Sequence, residues 1–172
     1  MTTDKEQDLL RSMLVMASAG LDAMVKYLIT DTLPTLIGRD ERARNSFEKF
    51  VGRELNRDTK LLASVLAAPS PQVRLIEEFV KHLTGGSLQS AESLFEVAAA
   101  LGADADGLSI QALKPAFDVR NKIIHELDIN LATQQRTRNI RSQTSMITYT
   151  RNLFDLAVAL IKSVDGRISP AN

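Results

Sequence analysis

The chain has 172 residues, enough for one domain with a real core, and its charge is balanced at 21 basic against 21 acidic side chains. That balance excludes a general polyanion-coating protein and confines any contact with RNA to a local patch. The absence of cysteine excludes a disulfide framework, thiolate catalysis and zinc sites built on sulfur, and it suits a reducing compartment.

The first residues, Met1 to Asp8, are polar and partly acidic, unlike the basic start of a signal peptide. Thr3-Asp4-Lys5-Glu6 has the form of a capping box, so a helix should open here. Leu10, Leu14, Ala17, Leu21, Met24 and Leu28 follow at alternating spacings of four and three, with Leu9, Met13, Met16 and Val25 broadening the stripe. Pro34 is expected to end this helix, giving a rod of roughly 40 Å. The apolar run from Leu9 to Ile29 is interrupted by Arg11, Asp22 and Lys26, which are costly at bilayer depth. It is therefore expected to be a core helix of a cytoplasmic protein, without a membrane span.

A more charged helix is expected from Asp40 to Asn56, with Phe47, Phe50, Val51 and Leu55 inward and Arg39, Arg42, Arg44 and Arg53 mostly outward. A short helix carrying Leu61, Leu62, Val65 and Leu66 comes next. Ser70-Pro71 then starts another, Ser70 as cap and proline where a missing amide costs nothing. Val73, Ile76, Phe79, Val80 and Leu83 form its expected buried side. Gly85-Gly86 reads as its stop, and a helix from Ser90 to Leu101 ends at Gly102. Asp104-Ala105-Asp106-Gly107 is a turn without the later acidic ligands that a calcium loop needs. The next helix starts near Ser109 or just after Pro115. After Leu127 the chain loosens through Asp128 to Leu131, and the closing helix is expected from Thr133 to Val164. Its stripe is Ile140, Ile147, Phe154 and Ile161, seven apart, supported by Met146, Leu153, Ala157, Leu160 and Val164. No alternating strand pattern, internal repeat or low-complexity segment is visible. The expectation is a single all-α domain over residues 1–172, a helical bundle framed by long N- and C-terminal helices.

The chemistry concentrates in residues 117–126, Phe-Asp-Val-Arg-Asn-Lys-Ile-Ile-His-Glu, which hold His125, one of only two histidines. Histidine is the side chain best suited to proton transfer near neutral pH. On a regular helix Asp118, Asn121 and His125 share a face, while Leu113, Phe117, Ile123, Ile124 and Leu127 collect opposite, with Arg120 in their midst. A guanidinium cannot shed its charge, so Arg120 needs either an acidic partner or a face that is not ordinary core. Arg120 and His125 point about 140° apart. To grip one phosphate together they require a long reach, a helix irregularity or a second subunit. The other histidine, His82, beside Lys81 at the end of its helix, reads as structural, and two histidines with scattered carboxylates give no metal-site spacing. Arg136, Arg138 and Arg141 would bind phosphate as a local basic patch or simply solvate a helix face. Tyr149 is the one aromatic outside core spacing.

The order Arg-Asn-x-x-x-His over Arg120 to His125, set in an all-helical chain, resembles the signature of the HEPN superfamily, small helical domains that are often metal-independent ribonucleases. The resemblance implies a catalytic pair Arg120 and His125, with Asn121 as the polar residue that often follows the arginine. It also implies a homodimer whose motif helices face each other across a composite site. There the RNA 2'-hydroxyl would attack the adjacent phosphate with no metal and no cofactor, leaving a cyclic phosphate and a 5'-hydroxyl. Such proteins often serve as toxins or phage-defence effectors beside a neutralising antitoxin. Two readings compete with this one. The first is a non-catalytic module that binds a nucleotide or a partner protein such as a nucleotidyltransferase. The second is a plain helical scaffold.

Overall fold

The computed structural model describes residues 3–104, 107–130, 134 and 136–169. Its helices are α1 (Asp4–Arg39), α2 (Glu41–Arg57), α3 (Thr59–Leu66), α4 (Pro71–Thr84), α5 (Ala91–Ala100), α6 (Lys114–His125) and α7 (Gln143–Ile168). A single 3-10 turn over Ile110–Leu113 leads into α6. The fold is all-α, as the periodicity demands.

α1 opens on the capping box: the Glu6 amide donates to the Thr3 hydroxyl at 3.3 Å, and the Thr3 amide donates to the Glu6 carboxylate at 2.6 Å. Its long apolar stripe packs most extensively against α7, and also against α2, α4 and α6. By length and composition alone α1 would also suffice to cross a membrane. The two long helices run in the same direction. Gln7 is bonded to the Arg141 backbone through both its amide nitrogen and its oxygen, 3.0 and 2.7 Å, at one end. At the other end Arg39 donates to the Ile168 carbonyl, and Arg167 pairs with Asp40. Between these ties Leu14, Val25, Ile29, Leu33 and Leu36 of α1 and Met146, Leu153, Leu160 and Val164 of α7 are buried.

Five expectations are corrected. Pro34 does not end α1, which continues to Arg39. A proline inside a helix costs about 3 kcal/mol or more, but Leu33, Leu36 and Ile37 in the last turns are almost fully buried, and at about 1.5–3 kcal/mol each that burial prevails. The closing helix starts at Gln143, ten residues later than expected, and continues through Asp165-Gly166 to Ile168; Thr133 itself lies outside the described residues. Finally, Ile140, Ile147, Phe154 and Ile161 are exposed, while Met146, Leu153, Leu156, Leu160 and Val164 form the buried face. α7 is apolar on two sides, and one bundle partner buries only one of them. In α4, Val73 is likewise exposed, and Ser70 sits at the cap position without a side-chain capping bond.

α5 ends as expected at Gly102, which takes φ +71° while the Ala103 amide closes on the Ala98 carbonyl at 2.8 Å. A methyl group at Gly102 would also collide with the carboxylate of Asp40, the residue that caps α2 and holds Arg167.

The chain reverses immediately after α6, with Leu127 and Asp128 both in the left-handed region at φ +52° and +58°. The Asp128 side chain is wholly buried and accepts from Arg11 Nε at 2.8 Å, from Asn139 Nδ2 at 3.1 Å and from both Nε and Nη2 of Arg141. Its backbone pairs antiparallel with the incoming chain, Asn139 donating to the Asp128 carbonyl and Asn130 to the Thr137 carbonyl, each at 2.8 Å. One carboxylate thus ties the end of α6 to the start of both long helices. Burial pushes this carboxyl up, but hydrogen bonds from Arg141, Arg11 and Asn139, together with the Arg141 charge, outweigh it and hold the group below the ordinary 3.8. A depressed folded value means the stabilisation is complete above the unfolded value and is lost as pH falls through the folded one. Asp128→Ala, which leaves the buried Arg11 with only the exposed Asp8 carboxylate 3.1 Å from its Nη1, should cost about 3 kcal/mol at neutral pH. Urea denaturation of both proteins from pH 7 down to pH 2 checks this, and the gap should close below the ordinary carboxylate range. Equal stability at pH 7 would contradict it.

Candidate active site

The 3-10 turn and Pro115 decide where the motif helix begins: α6 starts at Lys114, with Pro115 in its first turn where no amide is required. Leu113, Ala116 and Phe117 anchor it in the core, and Val119 and Ile123 pack partly against the same cluster. Asp118, Asn121, Lys122 and His125 face outward. The projection holds for Leu113, Phe117 and Ile123, with Arg120 rising from their side and His125 on the exposed one, but Ile124 and Leu127, expected on the apolar side, are exposed.

Arg120 nevertheless reaches the exposed flank. Its Nη1 donates to Asn121 Oδ1 at 2.9 Å, about 100° around the helix from its own attachment point. Asn121 in turn sits one turn before His125 on the same face. The arginine stem stays half-buried, and its Nε is enclosed without a hydrogen-bond partner. Among the described residues no carboxylate pairs with Arg120, whereas Arg11 and Arg141 both grip Asp128. Asp118 is held by Lys114 at 3.0 Å, so it does not serve His125. Glu126 is the C-cap residue of α6, its amide donating to the Lys122 carbonyl.

The three downstream arginines separate. Arg138 pairs with Asp8 at 2.7 Å, and Arg141 belongs to the Asp128 clamp. Arg136 is exposed, at φ +47° in the loop before α7. Arg138 and Arg141 are thus already paired with carboxylates, and Arg136 has no carboxylate partner among the described residues. Tyr149 is half-buried against the core and offers no free stacking face. His82 packs its ring on Phe50 at 5.2 Å, with Nε2 3.2 Å from both Glu96 and Arg53, which is a structural placement. Among the described residues no three histidine, aspartate or glutamate side chains converge as metal ligands. An apolar groove of about 490 Å³ between α1 and α4 takes none of its lining from α6.

Sequence reasoning missed the clamp. Its signal was present: Arg11 lies on the same face of α1 as Gln7, Leu10 and Leu14, so a buried anion had to meet it.

No family model, curated protein or solved structure matches the chain. The functional reading therefore stands on the geometry of α6 and on the resemblance of its motif. Since Asn121 and His125 are exposed and outside the core, His125→Ala and Asn121→Ala should each change unfolding free energy by less than about 0.5 kcal/mol. Chemical denaturation measures this directly, and a loss several times larger would assign these residues to the framework.

Proposed function

We propose that the protein is a metal-independent endoribonuclease of HEPN type, acting on cytoplasmic RNA. The observation that carries this reading is Arg120: a guanidinium without a carboxylate, turned toward Asn121 on the flank that ends in exposed His125. An arginine that emerges from the core and meets no carboxylate among the described residues is suited to an anion brought by a ligand.

In the reaction the 2'-hydroxyl oxygen bonds to the neighbouring phosphorus, the bond from phosphorus to the 5'-oxygen breaks, and a proton moves from the first oxygen to the second. His125 either takes the first proton or supplies the second, the other transfer passing through solvent. The fork of Arg120 stabilises the charge that builds on the phosphate oxygens. Asn121 holds the guanidinium in place and offers its amide to the phosphate. Arg120 and His125 leave the helix about 140° apart, so the cleft shared by two copies that the resemblance implies would bring Arg120 of one chain and His125 of the other to one phosphate. Arg136 is the remaining downstream arginine suited to track the RNA backbone.

The test is cleavage of end-labelled RNA by the purified protein in EDTA. Wild type should leave cyclic phosphate and 5'-hydroxyl ends, and Arg120→Ala and His125→Ala should each lose at least about a hundredfold in rate. Mixing the two variants should restore part of the cleavage, because a mixed dimer holds one intact shared site, whereas no restoration would confine the site to one chain. A wild type that cuts nothing, or variants that cut equally well, would refute catalysis and leave a helical binding module.

A further inference from the structure

The exposed side of α7 is the largest feature that neither the core nor the motif uses. Ile147, Phe154, Val158 and Ile161 stand out from it, Phe154 at 58% and Val158 at 50% of full exposure. With Arg151 and Asp165 they fall within about 80° of arc over a length of roughly 27 Å, while Asp155 and Lys162 share one edge of the strip. A continuous apolar strip on a surface helix marks an association site.

The charges choose the occupant. Arg151 and Asp165 lie seven residues either side of Val158, and Asp155 and Lys162 lie three before it and four after. A second α7 laid antiparallel, with a two-fold axis near Val158, brings Arg151 to Asp165 of the partner subunit and Asp155 to Lys162 of the partner subunit. Each pairing occurs twice. In an antiparallel pair the same edge of each helix meets its counterpart, so Asp155 and Lys162 are on the correct side to meet. Phe154 then packs against Ile161 of the partner subunit, and Val158 against itself. A parallel pair would instead set Arg151 against Arg151 and Asp165 against Asp165, which is unfavourable. All four charged residues are exposed, and Asp165 accepts a bond of 3.3 Å from the Ser169 hydroxyl.

We infer that α7 is a self-docking surface, and that two copies of this chain associate through antiparallel α7 helices about a two-fold near Val158. The contact uses none of Arg120, Asn121 or His125 and stands apart from the ribonuclease reading. α6 ends at the Asp128 clamp beside Arg141, roughly 20 Å along α7 from Val158. The pair therefore carries its two His125 ends toward opposite ends of the α7 pair, so this contact is separate from the cleft between motif helices that the resemblance implies. A lone helix pair buries less than the ~800 Å² per partner of a standard interface, so the expected dissociation constant is on the order of micromolar.

The chain has no cysteine, which makes cross-linking a clean test. Under mild oxidation Val158→Cys should form a disulfide-linked dimer in high yield, and Ile147→Cys should not. Equal linkage of both would indicate a parallel pair and overturn the arrangement. In sedimentation equilibrium, Arg151→Asp and Asp165→Arg should each weaken the wild-type dimer at least about tenfold, and the double variant should regain it. Unchanged circular dichroism of each variant excludes misfolding as the cause. A wild type that remains monomeric about a hundredfold above the expected constant, whether inert or bound through this strip to lipid vesicles, would refute the proposal.

Discussion

The buried carboxylate of Asp128 organises the end of the molecule where the motif helix finishes. α1 and α7 run side by side in the same direction, so the chain must return from the end of α6 to the start of α7. Asp128 fixes that return. It holds Arg11 from α1 and Arg141 from the entry to α7, while its own backbone pairs with Asn139. Without this anion the buried Arg11 would keep only the exposed carboxylate of Asp8, and Leu127 and Asp128 would have less to hold them in the left-handed conformation that turns the chain. Three elements and the position of His125 depend on one side chain.

The same account sets Arg120 apart. Arg11, Arg120 and Arg141 all carry guanidinium groups partly or wholly withdrawn from solvent, and none can give up its proton. Two of them converge on Asp128. The third leans on a neutral amide and leaves one nitrogen enclosed and unbonded. A phosphate placed over Asn121 would complete its coordination, which is why the unpaired arginine weighs more in the functional reading than exposed His125, whose placement alone would be unremarkable.

Much of the architecture was legible because it rests on local physics. The Thr3 capping box, Gly102 and the proline in the first turn of α6 all act within a few residues, and each marks an element boundary in the structure. The faces of α6 were legible in part: Leu113, Phe117 and Ile123 meet the core, but Ile124 and Leu127 are exposed where the chain turns away at Asp128. Pro34 misled because the burial of Leu33, Leu36 and Ile37 is a tertiary effect. The seven-residue spacing in α7 misled because that helix has two apolar faces, and periodicity cannot say which one the bundle takes. The clamp was hidden for a related reason: Arg11 and Asp128 are 117 residues apart, and only the fold brings them together. For the candidate site, the sequence located the residues and the angle between them, while the reach of Arg120 to Asn121 is a side-chain choice that no spacing encodes.

In the proposed reading, a helix that is apolar on both sides and a motif near the Asp128 clamp would give the molecule two separable functions, association and chemistry. The chemistry is the central claim, and its most direct test is the substrate's own hydroxyl. Wild-type protein in EDTA would be offered an RNA that it cuts, beside the same RNA carrying 2'-deoxyribose at the cleaved positions. The account predicts that substitution abolishes cleavage at those positions while neighbouring ribose positions are still cut. Equal cleavage of both substrates would contradict attack by the 2'-hydroxyl, and with it the role given to Arg120 and His125.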